Sequence, residues 1–393
     1  MDKLTNEKLN KQETKEGKLV LESYPQELWL SVTNKCNLNC AHCKIGRPEK
    51  EPFKAAGRAD MDRALFDKIK RQVFPFIGKV IFGGTELSEQ LFCKDWDHIF
   101  EETSRFPLDI HIITNGTLLT EERIRKFVER EVVLSVSIES CKPQLYESVR
   151  GKFHGRIFEL VKYGNELKKK LGKDKAVIKF GVTLFKDNIY ELPELLTFAK
   201  ELGVEEINTG HLCPQYEFQR EQSLVYHKDT YNNIYDVAKD KASKLGIYLD
   251  LPPKFYIPRI NEDTFHKRKT GSKCFWPWTA ASIDQHGKVT PCCGSGSVMG
   301  NIAKDDFTKI WNSRKYKSLR KTVNTDTPPD YCRDCAVRTD GVISNTALMS
   351  AIGADKGFSA KRMLLLSLRD SLTGNKITKP VCGILEKIYK KIS

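Results

Sequence analysis

The 393-residue sequence has no run of about 20 apolar residues, the length a membrane-spanning helix needs. Its longest apolar cluster, Met363 to Leu366, is far shorter. No basic n-region followed by an apolar stretch marks a secretory signal, and internal repeats and low-complexity runs are lacking. These absences place the protein in the cytosol, where thiols stay reduced. A disulfide framework is thereby excluded, and a chain this long buries a core without covalent staples. Twelve cysteines in that setting call for metal or redox chemistry. The net charge of +14 carries no aromatic interleaving and no recognised module, so nucleic acid is not an expected partner.

The chain divides into four parts. Residues 1–24 hold five Lys against five acids and are expected to be a flexible polar leader. Over residues 25–250, β-rich runs alternate with amphipathic helical spacing. Strands are expected at Glu27 to Thr33, Lys79 to Phe82, Asp109 to Thr114, Val132 to Ile138, Val177 to Phe185 and Glu205 to Thr209. Helices follow at 60–76 (Asp60 as N-cap), 96–105, 120–130, 158–171, 192–202 and 229–245. Regular alternation of this kind makes an α/β fold with a parallel sheet and right-handed crossovers. Six units fall short of a closed eight-fold barrel, so an open or partial barrel is expected, with its chemistry at the C-terminal strand ends. Residues 251–340 are loop-rich, with a hairpin turning at Gln285-His286-Gly287 and a helix over 306–322. Residues 341–393 carry nine Lys/Arg against three acids. Ile384, Leu385, Ile388 and Ile392 recur there at helical spacing among lysines. That tail reads as a basic amphipathic helix, either packed on its own domain or lying on an anionic membrane surface.

Cys36, Cys40 and Cys43 follow directly on the first strand in the spacing C-x3-C-x2-C. Soft thiolates packed this closely on a loop suit an iron–sulfur cluster. Three ligands leave one iron of a four-iron cluster open to substrate or cofactor. Structural zinc, the alternative, needs a fourth ligand that nothing nearby supplies.

This motif, its place after the first strand and the six-fold alternation resemble the radical SAM superfamily. The resemblance implies a partial (βα)6 radical SAM barrel over residues 25–250. It implies S-adenosylmethionine on a [4Fe-4S] cluster, and an electron donor such as flavodoxin or ferredoxin. Reductive cleavage would give a 5′-deoxyadenosyl radical that takes a hydrogen atom from substrate. Gly83-Gly84-Thr85-Glu86 is similar to the family's Gly-Gly-Glu motif, which contacts the SAM amino group, with a Thr inserted. Asn115 resembles a polar residue facing SAM. Ser135 and Ser137 share one strand face and match serines that bond the SAM ribose. Arg150 resembles an arginine that pairs with the SAM carboxylate, and His42 stands where relatives place an aromatic beside the adenine.

A second set, Cys274, Cys292, Cys332 and Cys335, can complete a cluster with no open iron. The turn at Gly287 lets a hairpin carry Cys292 back toward Cys274. This resembles the SPASM/twitch extension of radical SAM proteins. The C-x5-C-x3-C continuation of a full SPASM domain is missing after Cys335, so one auxiliary [4Fe-4S] cluster is expected, with zinc as the alternative. Gly300-Asn301-Ile302, Trp311 and Arg320 match the family's text between the cysteine pairs and read as packing residues. Cys93, Cys293 and Cys382 read as bystanders. Cys213 and Cys141, on loops after strands six and four, could return a hydrogen atom to a substrate radical.

The first expectation is therefore a radical SAM oxidoreductase or epimerase acting on a sugar, aminocyclitol or similar small metabolite. Peptide modification is the second. An iron–sulfur electron carrier without catalysis is the third.

Overall fold

A computed structural model describes residues 1–43, 57–84, 88–152, 155–212, 217–255, 273–292 and 297–333. Thr85, Glu86, Cys213, Cys335 and the whole basic tail lie outside them.

The sheet is built from β1 (Glu27–Leu30), β2 (Lys79–Phe82), β3 (Asp109–Thr114), β4 (Val133–Ser137), β5 (Val177–Leu184), β6 (Glu206–His211) and β7 (Tyr248–Asp250). These seven pair in chain order, all parallel. Between them run α2 (Arg63–Val73), α3 (Trp96–Ser104), α4 (Glu121–Glu129), α5 (Pro143–Arg150), α6 (Arg156–Lys170), α7 (Leu192–Glu201) and α8 (Lys228–Leu245). The six expected strands are present, and β7 adds a three-residue seventh. The sheet stays open, with β7 at one end, as a partial barrel requires.

Alternation along the strands separates two faces. Leu28, Leu30, Val80, Phe82, Ile110, Ile112, Leu134, Val136, Ile178 and Phe180 are buried in one core with the helices. Trp29, Ser135, Ser137 and Lys179 point to the opposite, half-buried face.

The cysteine-rich segment does not stand apart from this sheet. After α9 (Trp276–Thr279), strand β8 (Ala280–Ile283) pairs parallel with β1. The expected hairpin then follows, with β9 (Lys288–Thr290) antiparallel to β8. Strand β10 (Gly300–Asn301) ends the sheet. Helices α10 (Phe307–Trp311) and α11 (Arg314–Thr322) replace the single helix expected over 306–322. The break falls where Ser313 caps the second helix through the Tyr316 N–H. Arg320 is buried, with its guanidinium over the rings of Trp311 (4.6 Å) and Tyr316 (5.1 Å). It is a packing residue, as expected.

Two expectations are corrected. Residues 3–16 are not a flexible leader but a helix, α1 (Lys3–Glu16), capped by Asp2 and closed by left-handed Gly17. Its buried face is polar: Asn6, Asn10 and Glu13 recur at helical spacing and are at most 1% exposed. Asn6 donates to the Phe76 and Tyr24 carbonyls, Asn10 to Ser23 Oγ and the Trp278 carbonyl, and Glu13 accepts from the backbone of Glu22 and Ser23. A search for apolar periodicity cannot see such a helix. Secondly, Asp62 rather than Asp60 caps α2, accepting from the Ala64 N–H at 2.7 Å. Asp60 instead accepts from Thr33 Oγ1 and Lys35 Nζ and so anchors the start of the cysteine loop.

Candidate active site

The loop after β1 carries Cys36, Cys40 and Cys43 and is held from four sides. The Val32 N–H donates to Gln90 Oε1, and the Lys35 carbonyl accepts from the Glu89 N–H. The Ala41 N–H donates to the Val149 carbonyl at the end of α5, and the Ala41 carbonyl accepts from Gln219 Nε2. A tight turn brings the Cys43 N–H to the Cys40 carbonyl at 3.0 Å.

The donor set fits an iron–sulfur cluster. Cys36, Cys40 and Cys43 lie close enough for their charges to oppose one another's ionisation. Burial pushes the Cys40 thiol up to about 12 and raises Cys36 as well. To ligate iron these thiols would have to give up their protons to the metal. Cys36 Sγ already accepts from the Leu38 N–H at 3.4 Å and from Asn115 Nδ2 at 3.8 Å, the donors a cluster sulfur uses. Among the described residues no group of three or more His, Cys, Asp or Glu side chains is placed so that it could hold a metal ion; the three cysteines share one loop.

Around the loop lie several of the residues singled out in the sequence. Gly83 and Gly84, at the end of β2, have φ of +107° and +81°, so both need glycine. A Cβ on Gly84 would stand 2.4 Å from the Trp29 ring. Ser135 and Ser137 lie on the half-buried face of β4, beside Ile113 and Gly181 of the neighbouring strands. Asn115, at the end of β3, reaches Cys36 and Asn37. His42 Nε2 lies 3.7 Å from Glu139 Oε1, while its buried Nδ1 has no hydrogen-bond partner. Burial lowers the His42 pKa from its ordinary value, with the Glu139 carboxylate pulling the other way.

Arg150 is paired within the protein. Its Nη2 donates to Glu139 Oε1 at 2.9 Å and its Nε to Glu139 Oε2, both side chains being buried. The carboxylate it binds is the protein's own. Burial works against the Glu139 charge, but Arg150 and His42 outweigh it and hold that carboxyl below the ordinary range.

Cys141 is half-buried and feels the carboxylates of Glu194 and Glu191, with burial the larger cause of its raised pKa. Cys93 is buried, and burial pushes its thiol up to about 11. In the second set, Asn324 pins Cys274 by accepting from its N–H and donating to its carbonyl. Burial raises the Tyr331 pKa, and the charges of Cys332 and Cys292 add to that.

Sequence reasoning missed Glu89, Glu139 and Asn324. Glu89 is fully buried and accepts from the Asn115 N–H (2.6 Å), Thr114 Oγ1 (2.8 Å) and the Leu91 N–H (3.2 Å). Burial raises its carboxyl despite those donors. Glu139 lies between Ile138 and Ser140 at the end of β4, where a buried acid two residues past the last strand serine was the available signal.

The radical SAM family model matches residues 30–199, and that of an iron–sulfur cluster-binding domain, SPASM, matches residues 274–336. The chain is a member of the radical SAM superfamily. More particularly, it is a radical SAM enzyme with a C-terminal SPASM domain, a combination that carries S-adenosylmethionine, a [4Fe-4S] cluster and auxiliary iron–sulfur. It is similar to the tungsten-containing aldehyde ferredoxin oxidoreductase cofactor-modifying protein of Pyrococcus furiosus, 27% identical over 79% of this chain and 87% of that protein. It is also similar to the subtilosin biosynthesis protein AlbA of Bacillus subtilis, 23% identical over 74% of this chain and 60% of AlbA. Among solved structures, SuiB of Streptococcus suis bound to S-adenosylmethionine superposes with a TM-score of 0.58 at 16% identity, over 87% of this chain and 74% of SuiB. That likeness is one of fold. Among the described residues no helix is long and apolar enough to cross a membrane.

Proposed function

We propose that this protein oxidises a peptide substrate by radical chemistry at the loop of Cys36, Cys40 and Cys43. The observation that carries the reaction is that loop itself: three cysteines on one loop, N–H donors on Cys36 and a glycine turn, at the C-terminal ends of a partial barrel. Bound there, a cluster would supply the electron for reductive cleavage of SAM.

The protein's own residues would hold and orient. Cys36, Cys40 and Cys43 ligate three irons. Gly83 and Gly84 let the backbone approach SAM, and Ser135 and Ser137 face its ribose from β4. His42 would stand beside the adenine. The Glu139–Arg150 pair fixes α5 against β4 behind Cys40. Cys274, Cys292, Cys332 and Cys335 would ligate one auxiliary cluster, which would supply an electron acceptor for the oxidation. Cys213 and Cys141 are the thiols that could instead return a hydrogen atom.

The peptide class rests on AlbA, a bacteriocin biosynthesis protein, and on SuiB, whose fold this chain shares and which has been solved with its precursor peptide SuiA. It displaces the sugar or aminocyclitol expected from sequence. A second reading, modification of a small cofactor, is favoured by the Pyrococcus furiosus relative. The test is anaerobic turnover with SAM and dithionite in the presence of a short peptide encoded beside the gene. A product lighter by two hydrogens and matching 5′-deoxyadenosine is expected. SAM cleavage stimulated by a small metabolite and not by the peptide would overturn the peptide reading.

A further inference from the structure

The geometry points to Asn115 as a positioning residue that sets the reduction potential of the SAM-binding cluster through Cys36, rather than as a ligand of SAM. The inference rests on reading Cys36 as a cluster ligand.

Three observations carry it. First, the orientation of the Asn115 amide is dictated. Its Oδ1 accepts from the Thr117 N–H at 2.9 Å and from Thr117 Oγ1 at 2.7 Å. An oxygen that accepts twice from Thr117 leaves Nδ2 on the other side, toward the cysteine loop. Secondly, both Nδ2 hydrogens have acceptors there: Asn37 Oδ1 at 2.9 Å and Cys36 Sγ at 3.8 Å. Asn37 Nδ2 returns to Thr117 Oγ1 at 2.8 Å, which closes a ring of three side chains across the cysteine loop and the β3–α4 turn. Thirdly, the seat is rigid. Buried Glu89 accepts the Asn115 N–H and Thr114 Oγ1, and the Gly116 N–H donates back to Thr114 Oγ1. Asn115 itself is 8% exposed. With the Leu38 N–H, Cys36 thus has two fixed donors on its sulfur.

A donor aimed at a cluster thiolate stabilises the more negative, reduced state and raises the potential. Asn115→Ala removes one donor. Asn115→Asp replaces it with a negative charge at the same place. Thr117→Val leaves Asn115 intact but removes the hydroxyl contact that orients its amide.

The experiment is a potentiometric titration of the reconstituted full-length protein, following the EPR signal that changes on adding SAM, with iron counted per chain. Iron content should match the wild type in all three variants. The midpoint should move to lower potential in Asn115→Ala, further in Asn115→Asp, and least in Thr117→Val. An unchanged midpoint in both Asn115 variants, or loss of iron from both, overturns the proposal. Cys36→Ala separates the two layers: it should abolish the SAM-responsive signal. If that signal survives, the assignment of Cys36 as a ligand has failed.

Discussion

Arg150 and Glu139 form a two-pronged ion pair, buried at 5% and 2% exposure, that joins the end of α5 to the end of β4 beside Cys40. A pair in this setting adds little net stability over an apolar pair, but each partner depends on the other. Glu139→Gln should therefore cost about 3–5 kcal/mol, because it strands a buried guanidinium. Arg150→Met should cost a similar amount. The double variant Glu139→Gln/Arg150→Met should recover most of the loss. A double-mutant cycle by chemical denaturation checks this, and simply additive losses would refute the coupling.

The N-terminal helix ties the barrel to the cysteine-rich segment. Asn6 bonds the Phe76 carbonyl after α2, and four residues further on Asn10 bonds Trp278 in α9. Asn10→Ala leaves the Trp278 carbonyl and Ser23 Oγ short of a donor in a buried place. A loss of about 1–3 kcal/mol is expected, read as a lower thermal midpoint. Asn10→Asp should be at least as damaging, since it puts an acceptor against the Trp278 carbonyl. Wild-type stability in both variants would mean that the helix is dispensable for joining the two parts.

Much of the fold was legible because it is local. The strands show as β-rich runs and the helices as amphipathic stretches, and Cys36, Cys40 and Cys43 announce themselves by spacing. What stayed hidden depends on distant partners. Asn6, Asn10 and Glu13 look like solvated polar residues until Phe76, Ser23 and Trp278 are placed against them. The acid at Glu89 means nothing until β3 brings Thr114 and Asn115 to it. Nothing local in the sequence marks Glu139, eleven positions before Arg150, as its partner. The parallel pairing of β8 with β1 joins positions some 250 residues apart, and no local pattern encodes it.

Gly84 tests the close approach at the end of β2. Any side chain there meets the Trp29 ring and must also hold a φ of +81°. Gly84→Ala should cost about 1–3 kcal/mol from backbone strain alone and displace Trp29. Binding of SAM to the reconstituted protein, measured by calorimetry, should weaken several-fold. Unchanged affinity would remove Gly84 from the proposed SAM site.

His211 gives the protein a defined sensitivity to acid. Its ring stacks on Phe255 at 4.8 Å and meets Tyr231 edge-on at 4.5 Å, and burial lowers its pKa from 6.5 to about 4. Above pH 6.5 both folded and unfolded chains hold the ring neutral, so it exerts no pH effect there. Between pH 6.5 and about 4 the unfolded chain binds a proton that the folded chain refuses, so stability falls as pH falls across that window. Below about 4 the folded ring is protonated too and the slope ends. The full loss is about 2–4 kcal/mol, from 1.36 kcal/mol per pKa unit. His211→Phe keeps an aromatic ring against Phe255 and Tyr231 and removes the proton. Its stability curve should be flatter than that of the wild type between pH 6.5 and 4 and run parallel to it above pH 7. Equal slopes in the two proteins would show that His211 is not the group that charges.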